Sequence, residues 1–282
     1  MLQNNPTPAF PPPQSGAGIR KGAVFTAMAL AFLGVLTVPV HTDVPEFPAV
    51  SKPARRLFPG EKLVYKISYL GITVGQAEAE IGTLEDYAGR KAYPVTVRVR
   101  SHPVIDLIYK IRDEHHTWMD AGHLYSLRYE KKLKEGRYHV HEAMTYDQEK
   151  HTAHYLSYTN HSEKEMLIPK NVQDQLSCGY WFRTLEISPR TRVTIPVNAD
   201  EKNWELQVHL FDAKPMLIPG VGRFQALEAE PVIKFQGIFV KKGKIRGWIS
   251  LDERRIPLKM KVRVPILGTV TALLTSYVAG KA

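Results

Sequence analysis

The chain has 282 residues, with 38 Lys and Arg against 28 Asp and Glu, a formal net charge of +10, and 44% hydrophobic and 23% charged residues. That mixture excludes a wholly disordered tail and a collagen-like chain. The single cysteine, Cys178, excludes an intrachain disulfide framework and any Cys-cluster zinc or iron–sulfur site.

In chain order, the first segment reads as an address. Residues 1–42 contain no acid, and Pro6–Pro13 is proline-rich. Arg20 and Lys21 precede an apolar run, Gly22–Val40, broken by Thr26, Thr37 and Pro39. A basic flank before such a run is the pattern of a secretory signal peptide. The run of 19 residues is also close to the ~20 that span a bilayer, so an N-terminal membrane anchor is the other reading. Val38-Pro39-Val40 is a poor cleavage site, which favours the anchor, and no Cys follows for lipid attachment. Both readings put the body in the periplasm or another extracytoplasmic space. Residues 43–59, with Pro45, Pro48, Pro53 and Pro59, read as a tether. That leaves 60–282 as a single β-rich domain. Arg20 and Lys21 are the only charges before residue 43, so the remainder carries +8.

From Glu61 onward, apolar and polar residues alternate. Leu63, Tyr65, Ile67 and Tyr69 alternate with Lys62, Val64, Lys66 and Ser68; Val95, Val97 and Val99 with Thr96, Arg98 and Arg100; Leu258, Met260, Val262 and Val264 with Lys259, Lys261 and Arg263. Period two puts each set on one face of a strand. Similar runs lie near 72–82, 111–119, 123–134, 137–146, 150–158, 191–197, 203–211, 222–233, 244–251 and 268–278. Turn residues between them predict antiparallel hairpins. The expected fold is all-β and mainly antiparallel: a large curved sheet, half-barrel or open barrel meander, apolar on its concave side, with one or two packing helices. The helices are a short apolar turn or two at 103–110 and a longer one at 173–185. Asn171 is placed to cap the second, and Leu176, Tyr180, Trp181 and Leu185 form its apolar face. That helix reads as a plug on the open side of the sheet or a lid over a ligand cavity.

Three segments together are similar to a bacterial envelope family known as domain of unknown function 3108. They are Gly60-Glu61-Lys62-Leu63-Val64-Tyr65 running through Gly75-Gln76-Ala77; Gln173-Asp174-Gln175-Leu176-Ser177 continuing through Trp181, Phe182, Arg183, Thr184 and Leu185; and Gly247-Trp248-Ile249-Ser250 with Asp252, Arg254, Arg255, Ile256 and Pro257. The resemblance spans Phe58 to Val278 and implies an exported, β-rich protein with no assigned reaction. The Trp248–Leu258 hairpin also resembles those of periplasmic lipoprotein carriers, a likeness of architecture only.

Little in the sequence points to catalysis or a cofactor. There is no Gly-x-Ser-x-Gly elbow, phosphate loop or dinucleotide fingerprint. Cys178 lies in the apolar helix, where a lone cysteine is usually a small core residue. Nine of the eleven histidines fall between His102 and His161. His139 and His141 share a strand face and, with His115, are the only weak candidates for a metal site; they fall short of a full ligand set. A hydrolase acting on cell-wall or lipid substrate would need His115, Glu114, His139 and His141 to converge. Basic strand faces and hairpin tips suit an anionic membrane or cell-wall surface rather than nucleic acid. The leading expectation is a non-enzymatic envelope protein binding a lipid or acyl chain, or assisting assembly, with Leu176, Tyr180, Trp181, Trp248 and Met260 lining the site. A β-edge scaffold for another envelope protein is a further alternative.

Overall fold

Alternation sets the architecture of the computed structural model, which describes residues 57–235, 238–241, 244–264 and 268–281. It also gives the backbone pairing of two short strands, Val38–Pro39 (β1) and Ala49–Val50 (β2). The proposed signal or anchor at 22–40 and the tether up to residue 56 otherwise lie outside the described residues. Every segment read as alternating is a strand. These are Lys62–Tyr69 (β3), Ile72–Ile81 (β4), Arg90–Ser101 (β6), Arg112–Asp120 (β7), Ser126–Glu135 (β8), Tyr138–Asp147 (β9), Thr152–Ser157 (β10), Arg192–Ala199 (β12), Lys202–Ile218 (β13), Gly222–Phe235 (β14), Lys244–Ser250 (β16), Pro257–Val264 (β17) and Gly268–Val278 (β18). Three others carry no apolar alternation long enough to read: Glu85–Tyr87 (β5), Ser162–Leu167 (β11) and Ile238–Lys241 (β15).

The strands form one sheet, antiparallel except where β2 pairs in parallel with β12. Its order is β11-β10-β9-β8-β7-β6-β4-β3-β18-β17-β16-β14-β13-β12. β18 pairs with β3, so the C-terminal half is stitched to the N-terminal half at the centre. The sheet is not closed into a barrel, but it curls until its two edges meet. Asn203 Nδ2 donates to Leu167 O at 2.8 Å, and Lys164 pairs with Glu201 at 3.2 Å across the seam. Glu163, Lys164 and Glu165 on β11 make that edge polar, which discourages pairing with another chain.

Two helices pack on this sheet. Pro103–Asp106 (α1) sits in the β6–β7 connection, with His102 as its N-cap. Ser177–Arg183 (α2) lies inside the curl. The forecast of a helix from Gln173 capped by Asn171 is corrected here: α2 starts four residues later. Gln173 is held in strand-like pairing by β12, its N–H donating to Pro196 O and its carbonyl accepting from Asn198 N. Asp174 does the capping, Oδ1 accepting from the N–H groups of Leu176 at 2.6 Å and Ser177 at 2.7 Å. Asn171 is instead an exposed turn residue with φ +56°.

α2 divides the interior. Cys178, Phe182 and Leu185 pack with Val193, Ile195, Leu206, Val208 and Leu210 of β12 and β13. On the other side, Tyr180, Leu176 and Trp181 join Leu57, Ile81, Tyr93, Val95, Met119 and Leu124. Leu57 is buried, and Pro59 O accepts from Lys281 N at 2.9 Å, so the last residues assigned to the tether are part of the packed body.

Candidate functional site

The concave face is lined with residues too small to fill it. Ala77 and Ala79 on β4, Ala229 on β14, Gly247 on β16 and Ala272 on β18 all border one cavity of about 240 Å³ between the sheet and α2. That exceeds the roughly 150 Å³ apolar cavity that suffices to hold benzene. A Cβ added at Gly247 would meet nothing nearer than Ala229 O at 3.9 Å. The rest of the wall is mainly apolar: Leu63, Tyr65, Val97 and Val99 from one half of the sheet, Val208, Ile245 and Ile249 from the other, and Leu176, Gly179, Tyr180 and Phe182 from the helical segment.

Of the residues singled out from sequence, Leu176, Tyr180, Trp248 and Met260 border this cavity. Trp181 does not; it packs between the two clusters on either side of α2. Trp248 pairs in register with Lys259, whose ammonium stands 5.4 Å from its ring centroid, while Met260 pairs with Gly247. Burial, and then the nearby Lys261, lower the pKa of Lys259.

What holds α2 in place was not foreseen, although its residues stand in the three motif segments. Arg183 is 7% exposed and Glu61 1%. Arg183 Nη2 donates to Glu61 Oε2 at 2.7 Å, and Nη1 lies 2.7 Å from Oε1. Arg183 Nε donates to Arg255 O at 3.0 Å, and Nη2 to Arg254 O at 3.1 Å. Those carbonyls belong to the β16–β17 turn, which Asp252 shapes by accepting from Arg254 N, Arg255 N and Ser250 Oγ. Tyr65 OH closes the group by donating to Pro257 O at 2.8 Å. The first, second and third segments thus converge on one buried ionic node beneath the cavity. Burial outweighs the neighbouring Arg183 and keeps the Tyr65 and Tyr180 hydroxyls protonated.

A second node anchors the start of the helix. Besides its two backbone donors, Asp174 accepts on Oδ2 from Thr117 Oγ1 and Ser126 Oγ, both at 2.5 Å. This fully buried carboxylate thereby ties α2 to β7 and β8. Burial raises its pKa against the pull of these four donors.

The histidines do not assemble. His115 faces inward, 4% exposed, with Nδ1 2.7 Å from Tyr129 OH. Burial, with Lys131 and His116, pushes its pKa down to about 3, so it is neutral at physiological pH. His139 is exposed, and His141 lies on the outside of β9 against Glu130 and Tyr158. Glu114 is likewise engaged with Arg98 and His116. Among the described residues no group of three His, Cys, Asp or Glu could hold a metal ion. The cluster imagined for a hydrolase is therefore divided between the two faces of the sheet, because strand parity separates His115 from His139 and His141. Cys178 is buried, and burial raises its thiol pKa, which suits a core residue.

One titratable pair has a measurable consequence. Asp113, 1% exposed, accepts from Lys134 N at 3.0 Å, and burial followed by the charge of Glu135 pushes its carboxyl up to about 7. The folded protein holds this proton where the unfolded chain, at about 3.9, has lost it. Stability from this group is therefore present in full at low pH and declines as pH rises toward 7. Urea denaturation at pH 5 and pH 8 should show Asp113→Asn removing roughly 2–3 kcal/mol of the wild-type loss between those values.

The family model for DUF3108, a protein family of unknown function, matches residues 64–275. No curated protein matches the sequence. Among solved structures, a β-barrel-like protein of the domain of unknown function DUF1849 from Brucella abortus is similar, with a TM-score of 0.57 and 10% identity over 80% of this chain and 100% of that one. An exported-protein candidate with a YmcC-like fold from Bacteroides fragilis (TM-score 0.35, 8% identity) and a lipoprotein candidate from Parabacteroides distasonis (TM-score 0.32, 8% identity) also match. Each covers 80% of this chain and 100% of its own. The first likeness shows the fold alone. Among the described residues no helix is long and apolar enough to cross a membrane.

Proposed function

Since the chain belongs to the DUF3108 family, whose function is unknown, its role must be argued from its own cavity, and we propose that it binds an apolar, acyl-chain-like ligand there. The observation that carries this reading is the set of small residues, Ala77, Ala79, Ala229, Gly247 and Ala272, bordering one cavity on the concave face of the sheet. A protein selected only for stability would fill such a space, since residual cavity costs about 24 cal/mol per Å³. A mainly apolar wall with a few polar groups at its margin is also what a lipid-like molecule requires. The basic and apolar N-terminal segment supports placing this binding outside the cytoplasmic membrane. The neutral, deeply buried His115 and the dispersal of the other histidines favour binding over hydrolysis.

Gly247→Leu tests the reading. The strand backbone there has ordinary φ and room for a Cβ, so the new side chain should enter the cavity and leave the fold intact. Titration with a fluorescent fatty acid should give at least tenfold weaker binding than wild type, with thermal stability unchanged or higher. Equal binding by the two proteins would place the probe elsewhere and remove the proposal.

A further inference from the structure

We infer that one end of the curled sheet, formed by the β3–β4 turn, the α1 connection and the β8–β9 turn, docks on the surface of an anionic phospholipid bilayer. The three connections are neighbours. His102 N donates to Val74 O, just past the β3–β4 turn, at 2.9 Å, and Gly136 N to Lys110 O at 2.8 Å; Leu70 N donates to Thr269 O at 3.2 Å, which sets Thr269 and its register partner Arg263 beside them. They carry six of the eleven exposed large hydrophobic side chains among the described residues: Leu70, Ile72, Val104, Leu107, Ile108 and Tyr138. Leu107 and Ile108 are 86% and 85% exposed. Such clustering marks a contact surface, whereas single exposed apolar residues do not.

Leu70 sharpens the point. The two-residue turn Leu70–Gly71 has φ +48° and +89°, a conformation that Asn-Gly suits and leucine does not. Leucine there is conformationally unfavourable as well as 65% exposed, and such costs gather at functional positions.

The charges select the partner. Lys110, Lys134, Arg137 and Arg263 are exposed at this end. The carboxylates within the same connections are withheld: Asp106 is bound by Arg112 and Ser101, and Glu135 is buried. The opposite end exposes charges of both signs, Glu85, Asp86, Glu149, Asp252 and Glu253 together with Lys91, Lys150, Lys170 and Arg190. Apolar tips ringed by cations, on a body whose far end carries charges of both signs and no such apolar cluster among the described residues, fit an anionic bilayer, where the tips enter the interface and each cation meets negative surface potential. Ile105 and Tyr109, on the inner side of the α1 connection, belong to the same apolar cluster as the cavity residues Tyr65, Ala77, Val97 and Met260. The docked end is thus the end next to the cavity. The inference stands on surface side chains and does not rest on the ligand reading.

The full chain supplies the test, because Cys178 is buried and stays unlabelled. An environment-sensitive fluorophore is attached to Leu107→Cys and, in a separate protein, to Glu253→Cys. Any membrane attachment through the N-terminal segment is common to both. With phosphatidylcholine vesicles containing 30% phosphatidylglycerol, the Leu107→Cys label should shift to the blue and be quenched by nitroxide lipids, while the Glu253→Cys label stays aqueous. Adding Lys110→Gln with Arg137→Gln should raise the vesicle concentration needed by about fivefold per lost charge, or roughly 25-fold. A label at 107 that stays aqueous, equal shifts at both positions, or the same shift with pure phosphatidylcholine would overturn the inference.

Discussion

Arg183→Met is expected to destabilise the protein by about 3–5 kcal/mol, the largest single-residue effect in the fold. The substitution keeps most of the side-chain volume but leaves Glu61, 1% exposed, as a buried carboxylate without its cation. It also removes the donors that reach the carbonyls of Arg254 and Arg255. Glu61→Gln strands the Arg183 cation in turn, but should cost less, since the amide oxygen can still accept from the guanidinium and the donors to Arg254 O and Arg255 O remain. The double variant Glu61→Leu with Arg183→Met should recover part of the loss, because it removes both charges together. Urea unfolding of wild type, Glu61→Leu, Arg183→Met and the double variant gives the coupling directly. Additive losses in the double variant would mean that the pair does not act as a unit.

Asp174→Ala should cost nearly as much, about 3–4 kcal/mol. Four donors lose their acceptor, and the N–H groups of Leu176 and Ser177 cannot rotate to find another. Thr117 and Ser126 can turn their hydroxyls, so most of the penalty comes from the start of α2. Asp174→Asn separates the two roles. Its carbonyl can serve the two backbone donors, and its amide can donate to the two hydroxyls in their acceptor role. It should recover at least half the loss, and hydrogen exchange should show α2 protected in the Asn protein and frayed in the Ala protein. Equal loss in both variants would mean that the negative charge, rather than the capping geometry, holds the segment.

Most of the sheet was legible because each strand has one solvated and one buried face, and that contrast is written residue by residue in runs such as Leu63 to Tyr69 and Leu258 to Val264. β11 was not, because Ser162–Leu167 is an exposed edge whose residues answer to solubility and carry no pattern. The helix boundary moved from Gln173 to Ser177 because pairing with β12 is a tertiary event that outranks a local capping signal. The concave position of Leu176, Tyr180 and Met260 followed from periodicity. The small residues that create the cavity did not, since alanine and glycine in a strand look like weak strand formers until opposite walls are brought together. The Glu61–Arg183 and Asp174 nodes join residues far apart in sequence. Their only earlier trace is that they fall in the motif segments, which here prove to be the supports of α2.

The proposal that the cavity holds an apolar ligand is tested most directly by mass. Native mass spectrometry of the folded, purified protein, with solvent extraction of the same sample, should show an adduct of acyl-chain mass that Gly247→Leu lacks and that denaturation releases. Wild-type protein at the mass of the bare chain, with nothing apolar in the extract and no uptake after incubation with fatty acid or phospholipid, would contradict the account.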